Sequence, residues 1–158
     1  MTGLVIGKFY PPHKGHHFLI ETAGAQVDRL VVIVCKKAGQ SIPAEQRASW
    51  LKGIHPKAEI FVLDQSRCDD TDPSSWTREI QELLGLSVDF MFSSEEYGDE
   101  YAPLLGARHV LVDKERVVVN CSGREVRANP GAYWELLEPV VQDYYKSQGI
   151  DGRSGAQG

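Results

Sequence analysis

His13 and His16 stand three residues apart in the stretch Gly7-Lys8-Phe9-Tyr10-Pro11-Pro12-His13-Lys14-Gly15-His16-His17. At a helix start that spacing lets two imidazoles converge on one group. Two imidazoles beside free helix amides can hydrogen-bond phosphate oxygens and stabilise the charge that builds up as a phosphorus centre becomes five-coordinate. Such a site performs phosphoryl-type transfer by positioning and electrostatics, with no covalent nucleophile. Gly7 permits close backbone approach, the Pro11-Pro12 pair stiffens the turn, and Gly15-His16 opens the helix.

The elements that must hold this loop are legible on either side of it. Leu4-Val5-Ile6 is a short apolar strand stopped by Gly7, and Phe18 to Ala23 has helical character. Leu30 to Cys35 is continuously apolar and rich in β-branched residues, as in a parallel strand covered on both faces. Pro43 can occupy the first turn of a helix through Arg47 and Leu51, ended by Gly53 and Pro56. Ala58 to Leu63 predicts a third strand. Asp72-Pro73 then gives a cap and first turn for a helix bearing Trp76, Ile80, Leu83 and Leu84, closed by Gly85. Val88 to Phe92 reads as strand four, Glu95 to Leu105 as a weaker helix interrupted by Pro103, and Arg108 to Val112 as strand five. After Asn129-Pro130, the spacing of Tyr133, Leu136, Leu137, Val140 and Val141 predicts one amphipathic helix bent at Pro139. Five strands alternating with helices predict an α/β fold: a Rossmann-like, doubly wound, five-stranded parallel sheet with helices on both faces. A ligand should bind outside the carboxyl ends of the strands, at the loops after strands one and four. Residues 1–146 form the expected single domain, and residues 147–158 a mobile tail with too few apolar groups to pack.

Gly7, Phe9, Pro11, His13, Gly15 and His16 match the G-x-F-x-P-x-H-x-G-H signature, which contains the HxGH motif, and the segment resembles the nucleotidyltransferase superfamily. Its second motif, Ser-Gly-Thr-x-(Ile/Val)-Arg, is resembled by Ser122-Gly123-Arg124-Glu125-Val126-Arg127. The words GKFYPPHKGHHFLIETA, the Arg47-Trp50-Leu51 helix, Phe92-Ser93-Ser94-Glu95 and VRANPGAYW resemble the adenylyltransferase domain of bacterial NadR-like proteins. The resemblance runs from about residue 4 to residue 140. It implies joining of nicotinamide mononucleotide (NMN) to the AMP moiety of ATP, giving NAD and pyrophosphate, with Mg²⁺ carried mainly by the phosphates.

The resemblance also implies roles. His13 and His16 contact phosphate, His16 nearest the α-phosphate; Lys8 faces the triphosphate, and Arg127 grips its β- and γ-phosphates with Ser122 and the amides that follow it. Gly7, Phe9, Gly15, Gly123 and Arg124 complete the expected ATP site, with Arg47 a further phosphate candidate. Trp76 is expected to stack on the nicotinamide ring. Ser93, Ser94, Phe9 and Tyr10 line the acceptor side. One position departs from the pattern: Arg124 stands where the family has threonine, so a hydroxyl is replaced by a long cation that can compensate by charge, point elsewhere or mark weakened activity.

Composition narrows the partners. Seventeen Lys+Arg against 22 Asp+Glu give a net charge of −5 over 158 residues. This disfavours a broad polyanion surface, so nucleic acid is not an expected partner. The longest apolar run is far short of a membrane span, and no export signal is visible. Three widely spaced cysteines suggest reduced thiols and a cytoplasmic protein, with Cys35 and Cys121 as small buried residues. Self-association is compatible with the sequence but not specified by it. No dedicated metal site is expected: His17 reads as a partly exposed helix residue, and the acidic Glu95, Glu96, Asp99 and Glu100 as a solvated face. His55 and His109 read as structural or solvated, Trp50 as core, and Tyr133 with Trp134 as packing. No G-x-x-x-x-G-K-(S/T) loop occurs, so kinase activity is not expected. The rival readings are a nucleotidyltransferase for a pantetheine-phosphate, flavin or alcohol-phosphate acceptor, and a non-catalytic NAD or ATP sensor.

Overall fold

The computed structural model describes residues 1–69, 71–95, 98–113 and 121–152. Five parallel strands, β1 (Thr2–Gly7), β2 (Arg29–Lys36), β3 (Glu59–Asp64), β4 (Phe90–Ser93) and β5 (Arg108–Leu111), form one sheet in the order β3-β2-β1-β4-β5. β1 is central, pairing Leu4 with both Val31 and Met91. The order reverses between β1 and β4, and this is the expected switch point.

Helices α1 (Lys14–Gly24), α2 (Ala44–Ile54), α3 (Pro73–Leu84) and α4 (Gly98–Leu104) cover the sheet. Alternate strand residues face opposite sides. Val5, Val32, Val34 and Phe92 bury against Leu19, Ile20 and Ala23 of α1 and Ala48 and Leu51 of α2. Leu4, Val31, Ile33 and Met91 bury against Ile80 of α3 and Ala102 of α4. Two-sided burial is why β2 is apolar throughout: six of its eight residues, Leu30 to Cys35, are buried. Asp72 caps α3 by accepting from the Ser74 amide, and Gly85 closes it in the left-handed region.

The carboxyl-terminal part departs from the expected single bent helix. It divides into α5 (Gly123–Ala128), a 3₁₀ segment (Pro130–Leu136) and α6 (Pro139–Lys146). Pro139 starts α6 because a residue without an N–H is harmless in a first turn, whereas inside a continuous helix it would delete a hydrogen bond. Val126, Leu137, Val141 and Tyr145 form a third cluster with Ile42 and Trp50. Ile150 also packs on this cluster, so part of the segment expected to lie free is attached. Residues 153–158 of that segment lie outside the described residues.

His17 corrects another expectation: it is 5% exposed, and its Nδ1 lies 2.8 Å from Nε2 of His55. Burial, with His55 and His13 nearby, pushes its pKa down to about 3, and burial also lowers that of His55. In the unfolded chain a histidine binds its proton near pH 6.5. A depressed folded-state pKa therefore gives stability that is full above that pH and lost as pH falls toward about 3. At pH 5.5 the loss from His17 alone is about 1.4 kcal/mol. Thermal unfolding at pH 7.5 and 5.5 should show wild type losing about 3–5 °C more than the His17→Leu/His55→Leu double variant. Equal losses would mean that the pair is not held neutral.

Candidate active site

The loop after β1 is shaped by its own side chains before any ligand enters. His13 is the N-cap of α1: its Nδ1 accepts from the Gly15 amide at 3.1 Å, and Nδ1 of His16 accepts from the His13 amide at 3.1 Å. This reciprocal capping box satisfies orphan amides of the first turn and fixes both rings. It also fixes their chemistry. A ring whose Nδ1 accepts is neutral and carries its proton on Nε2, so each capped imidazole presents Nε2–H as its donor. The rings stack with centroids 3.7 Å apart, and Phe9 packs edge-on to His16 at 4.9 Å. Phe9 adopts φ +49°, a left-handed conformation that a bulky residue resists, and the residue is only 1% exposed.

The second motif meets this loop directly. Ser122 caps α5, its Oγ accepting from the Glu125 amide at 3.2 Å and donating to Glu125 Oε1 at 2.9 Å. A Cβ on Gly123 would lie 2.5 Å from the Tyr10 carbonyl oxygen, so only glycine lets α5 approach the loop this closely. Arg127 donates from NH1 to that same carbonyl, and its guanidinium carbon lies 4.0 Å from the Tyr10 ring centroid. Tyr10 OH lies 2.7 Å from Ser41 Oγ and accepts from the Ser41 amide. Tyr10, expected on the acceptor side, thus also holds Arg127 in place.

One cavity of about 570 Å³ joins these parts. Of the expected site residues it is lined by Gly7, Lys8, Phe9, Tyr10, His13, Gly15, His16, Trp76, Ser93, Ser94, Ser122, Gly123, Arg124 and Arg127. His13 is 4% exposed and Ser93 2%, while His16, Ser94 and Trp76 are half-buried and Lys8, Arg124 and Arg127 are exposed. The cationic groups therefore stand at the wetter side and the imidazole pair deeper, a gradient suited to a ligand with a phosphate tail.

Arg47 is the expected phosphate contact that the structure places elsewhere. It is fully buried and outside the lining, donating to the carbonyls of Ile42 (3.0 Å), Lys8 and Cys35 (3.4 Å) and to Gln40 Oε1. Its guanidinium is spent on tying the loop after β1 to the end of β2 and the approach to α2. Desolvation lowers its pKa from the usual arginine value.

Other lining residues were not singled out from sequence: Gln65, Tyr101, Val112 and Asp113 among them. Gln65 and Asp113 follow β3 and β5, and the rule that ligands bind outside strand carboxyl ends was the signal that could have found them. Gln65 Oε1 and Trp76 Nε1 are buried there with no hydrogen-bond partner among the described residues. His109, expected to be structural or solvated, is structural: it bonds Ser93 and Asp99. Of the acidic group, Glu96 lies outside the described residues, and among the described residues no cluster of three or more His, Cys, Asp or Glu could hold a metal ion. Cys35 and Cys121 are buried, and burial raises the Cys35 thiol to about 12, which removes it from nucleophilic chemistry. No helix among the described residues is long and apolar enough to cross a membrane.

Comparison with known proteins agrees with this construction. The trifunctional NAD biosynthesis/regulator proteins NadR of Salmonella typhimurium and Escherichia coli are each 29% identical over 164 aligned residues, covering 90% of this chain. The chain spans 40% of the length of each. A crystal structure of NadR with NR superposes with a TM-score of 0.71 at 20% identity, over 89% of this chain and 44% of that one. NadR with NAD and AMP-PNP gives 0.65 at 21%, over 85% and 44%. A bifunctional NMN adenylyltransferase/ADP ribose pyrophosphatase from Francisella tularensis, complexed with AMP and a manganese ion, gives 0.59 at 18%, over 80% and 40%. These structures share the fold. The cytidylyltransferase-like family model matches residues 4–129, a span that takes in all of the sheet but the first two residues of β1, the histidine loop and the second motif, and the chain belongs to that family, within the nucleotidyltransferase superfamily.

Proposed function

We propose that the chain is an adenylyltransferase that transfers AMP from ATP to NMN, forming NAD and releasing pyrophosphate. The observation that carries this reading is a cavity lined by both the His13–His16 pair and Arg127, the latter anchored to the Tyr10 carbonyl of the same loop. NadR relatives named for NAD biosynthesis, and a fold neighbour bound to NAD and AMP-PNP, support the choice of substrates.

In this mechanism an oxygen of the NMN 5′-phosphate attacks the α-phosphorus of ATP in line, forming one P–O bond as the bond to the bridging α,β-oxygen breaks and pyrophosphate departs. Nε2–H groups of His13 and His16 donate to the α-phosphoryl oxygens as charge accumulates on them. Their capping bonds hold them ready, so little reorganisation accompanies the reaction. Arg127, Lys8 and Arg124 bear on the β- and γ-phosphates, and Arg127 can present a two-pronged guanidinium edge while Tyr10 holds it. A divalent cation fits the site as a passenger on the phosphates: the lining offers Glu95 and Asp113 but no clustered cage among the described residues. When bound, Mg²⁺ would neutralise charge on the departing pyrophosphate.

The deciding experiment is pyrophosphate release from ATP or CTP with NMN, nicotinate mononucleotide, phosphopantetheine, FMN or an alcohol phosphate as acceptor. NMN with ATP should give the highest kcat/KM. Release with another acceptor alone would reassign the substrate, and calorimetric binding of NAD or ATP with no release would make the protein a sensor. Trp76 supplies a partly exposed aromatic wall for a cationic ring. Trp76→Ala should raise the KM for NMN about tenfold and that for ATP less than twofold; equal effects on both would remove the stacking role.

A further inference from the structure

Ser93, His109 and Asp99 form a hydrogen-bonded line from the cavity wall to the surface. Ser93 Oγ, at the carboxyl end of β4, lies 2.6 Å from Nε2 of His109, and Nδ1 of His109 lies 2.8 Å from Oδ1 of Asp99. The His109 side chain is 5% exposed and that of Asp99 71%. Gly98 makes room for the ring, since a Cβ there would lie 2.1 Å from His109 Nε2. Ser93 Oγ also lies 2.8 Å from the Glu95 carbonyl oxygen and receives a long contact from the Glu95 amide at 3.4 Å.

Proton bookkeeping then limits what Ser93 can offer a ligand. Asp99, acceptor-only when ionised, takes the Nδ1–H of His109. With a neutral ring, Nε2 accepts the Ser93 hydroxyl hydrogen. With a charged ring, Nε2–H donates to Ser93 Oγ, and the hydroxyl hydrogen goes to the Glu95 carbonyl. In both arrangements the hydrogen is engaged inside the protein, so Ser93, which lines the cavity, can offer a ligand only an oxygen lone pair, and with the neutral ring one is available. A serine so held repels a phosphate or carboxylate oxygen and welcomes an N–H or O–H.

We infer that Ser93 is an acceptor-only specificity residue that reads a hydrogen-bond donor on the nucleotide acceptor, with His109 as the residue that positions it. The inference rests on the proposed NMN-binding function. NMN carries such donors in two places, the carboxamide N–H and the ribose hydroxyls, and both present the same chemistry to an oxygen lone pair.

The test compares binding of NMN, nicotinate mononucleotide and the 2′- and 3′-deoxyribose analogues of NMN by calorimetry, in wild type and in Ser93→Ala. Wild type should bind NMN about tenfold more tightly than the analogue that lacks the donor read by Ser93, the value of one hydrogen bond made or lost in a buried site. Ser93→Ala should weaken NMN binding about tenfold, leave that one analogue unchanged, and move ATP affinity less than twofold. The analogue whose discrimination disappears identifies the donor as carboxamide or hydroxyl. His109→Phe, which leaves only the Glu95 carbonyl to hold the Ser93 hydrogen, should give the same pattern in weaker form and at smaller cost to packing than a polar replacement, and the double variant should be no worse than the poorer single. A structural role alone would lower thermal stability without changing discrimination among the four ligands. Uniform weakening toward all four, additive effects of Ser93→Ala and His109→Phe, or a wild type that binds none of them would overturn the inference. NMN turnover with unchanged discrimination in Ser93→Ala would defeat it while leaving the adenylyltransferase reading intact. Donor-selective binding without pyrophosphate release would do the reverse.

Discussion

His16→Ala is expected to lower kcat by roughly 10²–10³-fold while ATP affinity changes by less than about threefold. The Nε2–H of His16 is assigned to an oxygen whose charge grows only as the α-phosphorus becomes five-coordinate, and removal of one such preorganised donor typically costs turnover on that scale. The same ring has a second duty, since Nδ1 accepts the His13 amide at the start of α1. Loss of a cap costs about 1 kcal/mol of stability and could disturb His13. His16→Asn separates the two roles. Its side-chain oxygen can still accept from the His13 amide but cannot place a donor where Nε2 stands, so turnover should stay low while the melting temperature recovers toward wild type. Near-normal kcat in either variant, measured by pyrophosphate release at saturating ATP and NMN, would remove His16 from the reaction.

Arg127→Ala should weaken ATP binding roughly 10- to 100-fold, the range expected for losing charge-assisted hydrogen bonds to phosphate. Arg127 is exposed on α5, and its largest described contacts are with Tyr10, so the variant should fold. Arg127→Lys should restore only part of the loss, because an ammonium neither stacks on the Tyr10 ring in the same way nor presents a planar fork. Calorimetry with a non-hydrolysable ATP analogue gives the comparison directly. ATP affinity within twofold of wild type in Arg127→Ala would show that the second motif does not reach the triphosphate, even though it borders the same cavity.

How far the sequence carried each of these features depended on the range of the interactions behind it. β2 was legible because burial on both faces demands an unbroken apolar run, and Leu30 to Cys35 supplies one. α3 was legible because Asp72 and Pro73 state its start and Gly85 its end, each within one turn of the helix end it marks. Pro139 was ambiguous for a related reason: a proline disrupts a helix interior and favours a helix start, and the flanking apolar spacing is compatible with both. Packing of α5, the 3₁₀ segment and α6 as separate pieces against Trp50 and Ile42 resolves it. Arg47 and His17 were misplaced because their partners are distant. The carbonyls that hold Arg47 come from Lys8, Cys35 and Ile42, and the ring that pairs with His17 comes from residue 55.

The chain alone determined the chemistry on offer: paired imidazoles at a helix start, a Ser-Gly-x-x-x-Arg segment far downstream, and alternating apolar runs that can close only as a two-sided parallel sheet. Those properties are local, set by side-chain type and by backbone periods of two and 3.6 residues. Tertiary structure decided which groups share the cavity and which are consumed by the protein itself. It turned Arg47 inward, joined Arg127 to the first loop through a carbonyl that only Gly123 lets α5 approach, and committed the Ser93 hydrogen to the interior. Hydrogen bonds saturate, so a polar group's availability to a ligand depends on neighbours that only folding brings within 3 Å.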